Sequence, residues 1–504
     1  MYVREINHKN GRVYIQVIQK IKGKYVVRKS FGSGSTSSEV DNLKRKAERW
    51  IQEQAGLLEI DFSRERELFQ KAISSITSHR LVGIELTIGK IFDEIGFDQI
   101  EDELFRHLVL YRLVYPKSKL KTTEYLYRFE GKEYSEDEIY RYMDKLYNDQ
   151  KEYVQQISYK HTLSLFPEGI RVVFYDVTTV YFEIDLEDDL RKTGFSKEGR
   201  HQNPQIVLGL LVSKDGYPLA YDIFEGNKFE GHTIMPIIDF FKQKYELENL
   251  VIVADSGLLS KTNIEYLKDQ HYEFILGARI KNESSDIQKK ILALSLRNGE
   301  SKVINKGDIR LIITYSDQRA AKDRYNREKG IRRLKKQIQT GRLTKDNLNK
   351  RGYNKFLKMD GQVNVKLNQQ KINQDKKWDG LKGYITNSKL NKDELIANYQ
   401  QLWQIEKAFR VAKSELKLRP VYHRKQRRIE AHICLNFVAY KVYKELERFL
   451  KVRNSDLSPQ KVIEMAQNIY QIQMTTPKGK EKVTRTLILT DEHKALAQLF
   501  QFGC

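Results

Sequence analysis

The chain has 504 residues, with 89 Lys and Arg against 67 Asp and Glu for a formal charge of +22, and 40% of its residues are hydrophobic. This is enough apolar material for about three domains with real cores, and the excess charge points to polyanionic partners, nucleic acid first. No apolar run approaches the roughly 18 residues of a membrane helix. The start Met1-Tyr2-Val3-Arg4 lacks a secretory apolar core, and two cysteines, Cys434 and Cys504, exclude a disulfide scaffold and a thiolate zinc site. A soluble protein of a reducing cytoplasm with no membrane partner is expected.

In chain order, residues 12–20 and 24–29 read as strands turning at Lys22-Gly23, followed by a helix over 38–54, so that 1–64 forms a small ββα module with basic strands. Residues 65–168 show helical periodicity and no convincing strand, as in Ile84, Ile91, Phe92 and Ile95, with Ser135 capping a helix whose first turn is Glu136-Asp137-Glu138. Either of these segments is a candidate for DNA binding. From about 170 the pattern changes to β. Strands are predicted from 171, over 205–213 and over 217–224, the last two joined at Asp215-Gly216. A helix over 232–245, a strand over 250–254, a helix over 261–270 and a strand over 273–278 follow. The order β-β-β-α-β-α-β with a later helix is that of an RNase H-like α/β fold, a mixed sheet flanked by helices on both faces.

The charge is concentrated. Residues 319–358 hold 15 Lys and Arg against three acids, +12, and residues 407–428 hold nine against one, +8, which leaves only +2 for the remainder. Residues 319–339 are helix-compatible with few apolar anchors, a surface that can lie along a phosphate backbone.

Three acids sit where that fold would gather them. Asp176 lies within the first strand and Asp255 directly follows the strand over 250–254, so the two carboxylates are expected at one edge of the sheet. Paired carboxylates suit hard cations such as Mg²⁺, and two such ions can clamp the attacking and leaving oxygens of a phosphoryl transfer. The third, Glu406, borders an apolar stripe of Leu402, Ile405, Phe409, Ala412 and Leu416 on a helix expected to run on from Tyr399. A boundary glutamate paired with Arg410 is the competing reading of Glu406.

These residues resemble the DDE transposases of bacterial insertion sequences, in the group whose third acid lies in a Tyr-x2-Arg-x3-Glu-x6-Lys signature. Here that signature reads Tyr399, Leu402, Glu406 and Lys413, with leucine at the arginine position. The segments Tyr175-Asp-Val-Thr-Thr-Val, Val253-Ala-Asp-Ser-Gly-Leu and Gly383-Tyr-Ile-Thr-Asn support it over residues 170–440. The resemblance implies a catalytic core in two parts, 169–280 and 381–450, interrupted by a basic insertion domain over 281–380 and followed by a helical region, 451–504, suited to dimerisation. It implies that Asp176, Asp255 and Glu406 ligate two Mg²⁺ ions, replaceable by Mn²⁺. Double-stranded DNA, both element ends and target, is the implied partner of a homodimer, associated with the nucleoid when bound. Tyr399, Arg410 and Lys413 would contact phosphates near the scissile bond, with Lys417, Arg419, Arg424, Lys425, Arg427 and Arg428 extending that track. Arg332 and Arg333 would add contacts from the insertion, and Trp378 is a candidate for stacking an extruded base, against a plain packing role. The alternatives are a noncatalytic DNA-binding protein derived from such an enzyme and an RNase H-like nuclease without strand transfer.

Overall fold

Alternating apolar residues over 13–21 make a strand with one buried edge, and Lys22 and Gly23, at φ of 44° and 81°, supply the left-handed pair that a tight hairpin needs. The computed structural model describes residues 1–55, 63–196, 199–245, 247, 250–258, 260–340, 342–343, 352–360, 364–475 and 481–503. Two compact units emerge, one of residues 1–79 and 472–485, the other of 80–471 and 486–504.

In the smaller unit, β1 (Tyr2–Asn7), β2 (Val13–Ile21) and β3 (Lys24–Gly34) form an antiparallel sheet in that order. Helix α1 (Ser37–Gln54) opens on a capping box between Thr36 and Glu39 and lays Val40 and Ala47 on Ile15 and Val17. After α2 (Ser63–Ser74), β4 (Ile76–Leu81) joins β15 (Tyr470–Thr475) and β16 (Lys482–Thr486) in a second three-stranded sheet. The strands β1, β4, β15 and β16 are additions to the sequence expectation. In β4 and β16 few side chains are buried, which leaves little apolar alternation to read.

The larger unit begins with helices α3 (Lys90–Ile95), α4 (Glu103–Val114), α5 (Lys119–Tyr125), α6 (Glu136–Lys145) and α7 (Lys151–Ser164). The meander follows as expected, β5 (Val172–Tyr181), β6 (Gln205–Ser213) and β7 (Pro218–Glu225), then α8 (Ile234–Tyr245), β8 (Val251–Ala254), α9 (Lys261–Asp269) and β9 (Glu273–Ala278). Next come α10 (Ser285–Leu292), β10 (Ser301–Lys306), β11 (Ile309–Tyr315), α11 (Asp317–Gln339), the small hairpin β12 (Leu357–Asp360) and β13 (Asn364–Leu367), α12 (Gln369–Lys376) and β14 (Leu381–Thr386). The chain continues through α13 (Lys392–Gln400), α14 (Trp403–Ser414), α15 (Gln426–Val452), α16 (Pro459–Ala466) and α17 (Asp491–Phe500).

One eight-stranded sheet organises this unit in the order β10-β11-β14-β9-β8-β5-β6-β7. The central strands β5, β8 and β9 are parallel and the flanking ones antiparallel. All nine residues of β6 are buried, as expected of a strand covered on both faces. On one face Phe174, Val180, Leu210 and Val253 pack with α14, α15 and the early helices; on the other Val173, Tyr175, Val177 and Ile252 pack with α8 and its neighbours. This is the RNase H-like α/β architecture. Strands β10 and β11 extend the sheet, so the interruption that stands apart from it is shorter than residues 281–380 and starts at α11.

Candidate functional site

In the parallel register of β5 and β8, Tyr175 lies opposite Ala254, and Asp176 and Asp255 are the next residues of the two segments. Successive residues of a strand face opposite sides. Asp176 therefore shares the face of Phe174 and Val180, and Asp255 continues the face of Val251 and Val253, which is in both cases the face covered by α14. Backbone donors fix both carboxylates: the Val177 N–H donates to Asp176 Oδ1 at 2.8 Å and the Gly257 N–H to Asp255 Oδ1 at 2.6 Å. The turn after Asp255 needs glycine. A methyl group at Gly257 would stand 2.8 Å from Asp255 Oδ1 and 3.1 Å from Glu230 Oε2.

Glu230 is therefore a fourth carboxylate beside this turn. It lies in the connection from β7 to α8, which leaves the sheet at the edge where β5 and β8 also end. Its backbone carbonyl accepts from the Thr233 hydroxyl, which accepts in turn from buried Tyr175. In sequence Glu230 reads as one more loop acid, and only its place after the third strand of the meander, between Gly226 and Gly231, signals it.

The third acid approaches from α14. The helix expected to run unbroken from Tyr399 is divided: α13 ends at Gln400 and α14 starts at Trp403, which puts Glu406 in the first turn of a new helix. The apolar stripe packs as expected, with Leu402, Ile405, Phe409 and Leu416 buried. Glu406 is exposed and makes no ion pair with Arg410 or any other described cation, so the competing boundary-pair reading fails. Tyr399 connects second and third acids. Its hydroxyl lies so near the turn after β8 that a methyl at Gly277 would stand 2.5 Å from it and 3.1 Å from the Ser256 nitrogen. Burial raises the Tyr399 hydroxyl pKa well above its usual range, and the charges of Asp255 and Glu406 add to the effect. Lys382 Nζ stands 4.5 Å above the Tyr399 ring, its own pKa lowered by burial and by Arg319, with Glu406 opposing.

Among the described residues no three His, Cys, Asp or Glu side chains are gathered as a preformed cage for a metal ion. Asp176 in β5 and Asp255 directly after β8 offer only carboxylate oxygens, the donor chemistry of a hard divalent ion.

The cations divide into two groups. Lys413 donates to Thr178, on the same face of β5 as Asp176. The Arg419 guanidinium lies 5.9 Å and that of Arg200 5.0 Å from the Tyr181 ring centroid at the end of that strand. Arg410, Lys417, Arg424 and Lys425 are exposed, as are Arg332 and Arg333 on α11, and none of the six forms an ion pair with a described residue. Other cations are already committed. Arg427 reaches Asp144 Oδ1 at 2.9 Å, and Arg428 spans both oxygens of Asp144 at 3.0 and 3.3 Å. Arg327, inside the basic helix, is buried in a two-pronged pair with Asp379 whose Nη2 to Oδ2 arm is 2.6 Å. Trp378 is 8% exposed and packs in the second core. Its edge lines a cleft of about 700 Å³ between Ser256 and α11, rimmed by Arg319 and Lys281.

An antiparallel meander followed by parallel strands in one mixed sheet, flanked by helices, is the RNase H-like α/β fold. Residues 167–441 match the family model described as the Transposase DDE domain, more than half of the chain, and the protein belongs to that family. This is a family of polynucleotidyl transferases and endonucleases that generally depend on divalent metal. No curated protein matches the chain. Among solved structures it is similar to piggyBac transposase in a synaptic complex with hairpin DNA, at 8% identity and a TM-score of 0.39 over 77% of this chain and 79% of that one. It is also similar to Mos1 transposase in a paired-end complex with the left transposon end, at 11% identity and a TM-score of 0.16 over 34% of this chain and 58% of that one. A Mos1 mariner paired-end complex with Mn gives 11% identity and a TM-score of 0.15 over 31% and 54%. Among the described residues no helix is long and apolar enough to cross a membrane.

Proposed function

We propose that the protein is the transposase of a bacterial insertion sequence, which binds the ends of its own element, cleaves them and joins them to target DNA. The observation that supports this reading is the β5–β8 register, in which Tyr175 pairs with Ala254 so that Asp176 and Asp255 are the next residues along two adjacent segments. The side chains of Asp176, Asp255 and Glu406 would hold two Mg²⁺ ions, or Mn²⁺ in their place, with Glu406 closing in from the first turn of α14. When bound, the ions supply Lewis-acid stabilisation of the charge that develops on attacking and leaving oxygens.

The chain's own groups do the remainder. The Val177 and Gly257 amides each hold one oxygen of an aspartate and so fix the orientation of its carboxylate. Lys413, anchored on Thr178, is placed to orient a phosphate beside Asp176. Arg410, Lys417, Arg419, Arg424 and Lys425 continue the track along the backbone of duplex DNA, and Arg332 and Arg333 add a second line of contacts from α11. Tyr399 serves beneath the site, buried between Tyr384 and Lys382, as a spacer that fixes the turn after Asp255. In the DNA complex a homodimer would bring two ends together, in the cytoplasm at the nucleoid.

The test uses purified protein and duplexes ending in the inverted repeats that flank its coding region. Asp176→Asn, Asp255→Asn and Glu406→Gln are each expected to lower Mg²⁺-dependent strand cleavage at least a thousandfold while duplex affinity changes less than threefold. Full cleavage by any one variant sinks the assignment. Precut ends then separate the enzymes: joining to a target plasmid marks a transposase, and cleavage without joining marks a nuclease.

A further inference from the structure

Away from the carboxylates, the larger unit buries positive charge with no carboxylate among the described residues to balance it. Arg112, in the last turn of α4, is 6% exposed, and Lys119, the first residue of α5, is 5% exposed. Two imidazoles feel both charges, His423 from the connection between α14 and α15 and His432 from α15 itself, with ring centroids 5.4 Å apart. His432 Nε2 lies 3.1 Å from the Leu418 carbonyl, which ties the connection to the helix.

Neither Arg112 nor Lys119 has a carboxylate partner among the described residues. The acids nearby are engaged elsewhere, Asp144 by Arg427 and Arg428 and Glu430 by Lys151. Two buried nitrogens of the group, Arg112 Nε and His432 Nδ1, have no hydrogen-bond partner. A guanidinium stays protonated in a protein, and a buried cation without a counter-charge costs several kcal/mol. The electrostatics agree with the geometry. Burial alone brings Arg112 down to about 10, burial and Arg112 hold the Lys119 ammonium well below its usual range, and burial with both cations brings His423 down to about 3. Each group is unfavourable to the others until an anion enters.

We propose that Arg112, Lys119, His423 and His432 form a binding site for one phosphate-class oxyanion. The guanidinium offers a planar fork for two oxygens and the ammonium a point charge for a third. The anion has two sources of the same chemistry, a free phosphate ion or a phosphodiester of bound DNA. The site is separate from the three acids and does not depend on the role proposed for them.

The test uses the full-length protein dialysed into chloride buffer. Titration with inorganic phosphate, followed by calorimetry and thermal unfolding, is expected to show one site and a rise of several degrees in Tm, because a ligand that binds only the folded state stabilises it. Lys119→Met is expected to abolish the phosphate-induced rise and to unfold at a higher temperature than wild type in the phosphate-free buffer, where it replaces a buried amine beside Arg112 with an apolar side chain. His423→Gln, should Lys119→Met not fold, is expected to weaken phosphate binding at least fivefold. A duplex arm distinguishes the sources. If the phosphate belongs to DNA, phosphate competes with a 30-base-pair duplex and Lys119→Met weakens duplex binding at least tenfold. If it is a free ion, duplex affinity is the same for both proteins. A wild-type protein with no phosphate-dependent shift, and with duplex binding indifferent to phosphate and to Lys119→Met, overturns the proposal.

Discussion

Gly257 holds two carboxylates apart. With no side chain, it lets its N–H reach Asp255 Oδ1 while Glu230 stands on its other side. Gly257→Ala inserts a methyl 2.8 Å from the Asp255 oxygen, closer than side-chain carbons approach, and the aspartate must turn. The fold is expected to tolerate this, since the displaced atom is the end of a side chain. DNA cleavage by Gly257→Ala should fall at least tenfold with Tm within about 2 °C of wild type, a small shift for a unit of this size. Unchanged cleavage would show that the Asp255 rotamer does not matter. At this scale the sequence singles out Asp176 and Asp255 as candidates, because an acid in or just after a strand of β-branched residues is conspicuous. It conceals Glu230, whose neighbours Lys228, Phe229 and Gly231 are those of any loop, and it conceals Asp144, which binds Arg428, 284 positions away, and the adjacent Arg427.

Helix α11 is the element whose surface and interior differ most. Its buried residues are Ala320, Arg327, Gly330 and Leu334, and Arg327 is neutralised by Asp379. The helix thus spends one cation on its own anchoring and leaves Arg332 and Arg333 facing solvent. Each phosphate neutralised contributes a slope of about −0.9 to log K against log salt. Arg332→Ala with Arg333→Ala should therefore make the slope of duplex binding shallower by about 2 while cleavage at saturating DNA is retained. An unchanged slope would mark these arginines as solvated only. The composition of α11 predicts a helix but not this division of labour. The break between α13 and α14 was equally hidden, since Gln401 and Leu402 carry neither proline nor glycine to mark it. The addition of β10, β11 and β14 to the main sheet depends on pairing between distant segments, which local pattern does not encode.

Across the whole molecule, burial of polar groups around α15 makes stability depend on pH. His161, on α7, is brought down to about 4 by burial, with Lys441 adding and Glu445 opposing. Unfolded chains take up that proton as pH falls through about 6.5, whereas the folded protein resists until near 4. The unfolded state thus binds more protons in this window, and stability declines on acidification by up to about 3 kcal/mol from this group. Urea unfolding of His161→Gln at pH 7 and pH 4.5, in phosphate-free buffer, is expected to show a smaller loss than wild type. An equal loss would remove His161 from the account. The broad architecture was readable because strands of a doubly covered sheet are strongly apolar, as β6 shows along its whole length.

Helix α15 also sets a schedule. Nineteen of its residues are buried, and it packs against α3, α4, α6 and α7, which precede it by some three hundred positions, and against α14. During synthesis the early helices leave the ribosome without the partner that covers them, and the sheet lacks the helix that carries Glu406. In the proposed transposase the carboxylate site is consequently completed late, only once α14 and the α15 that covers it have been made.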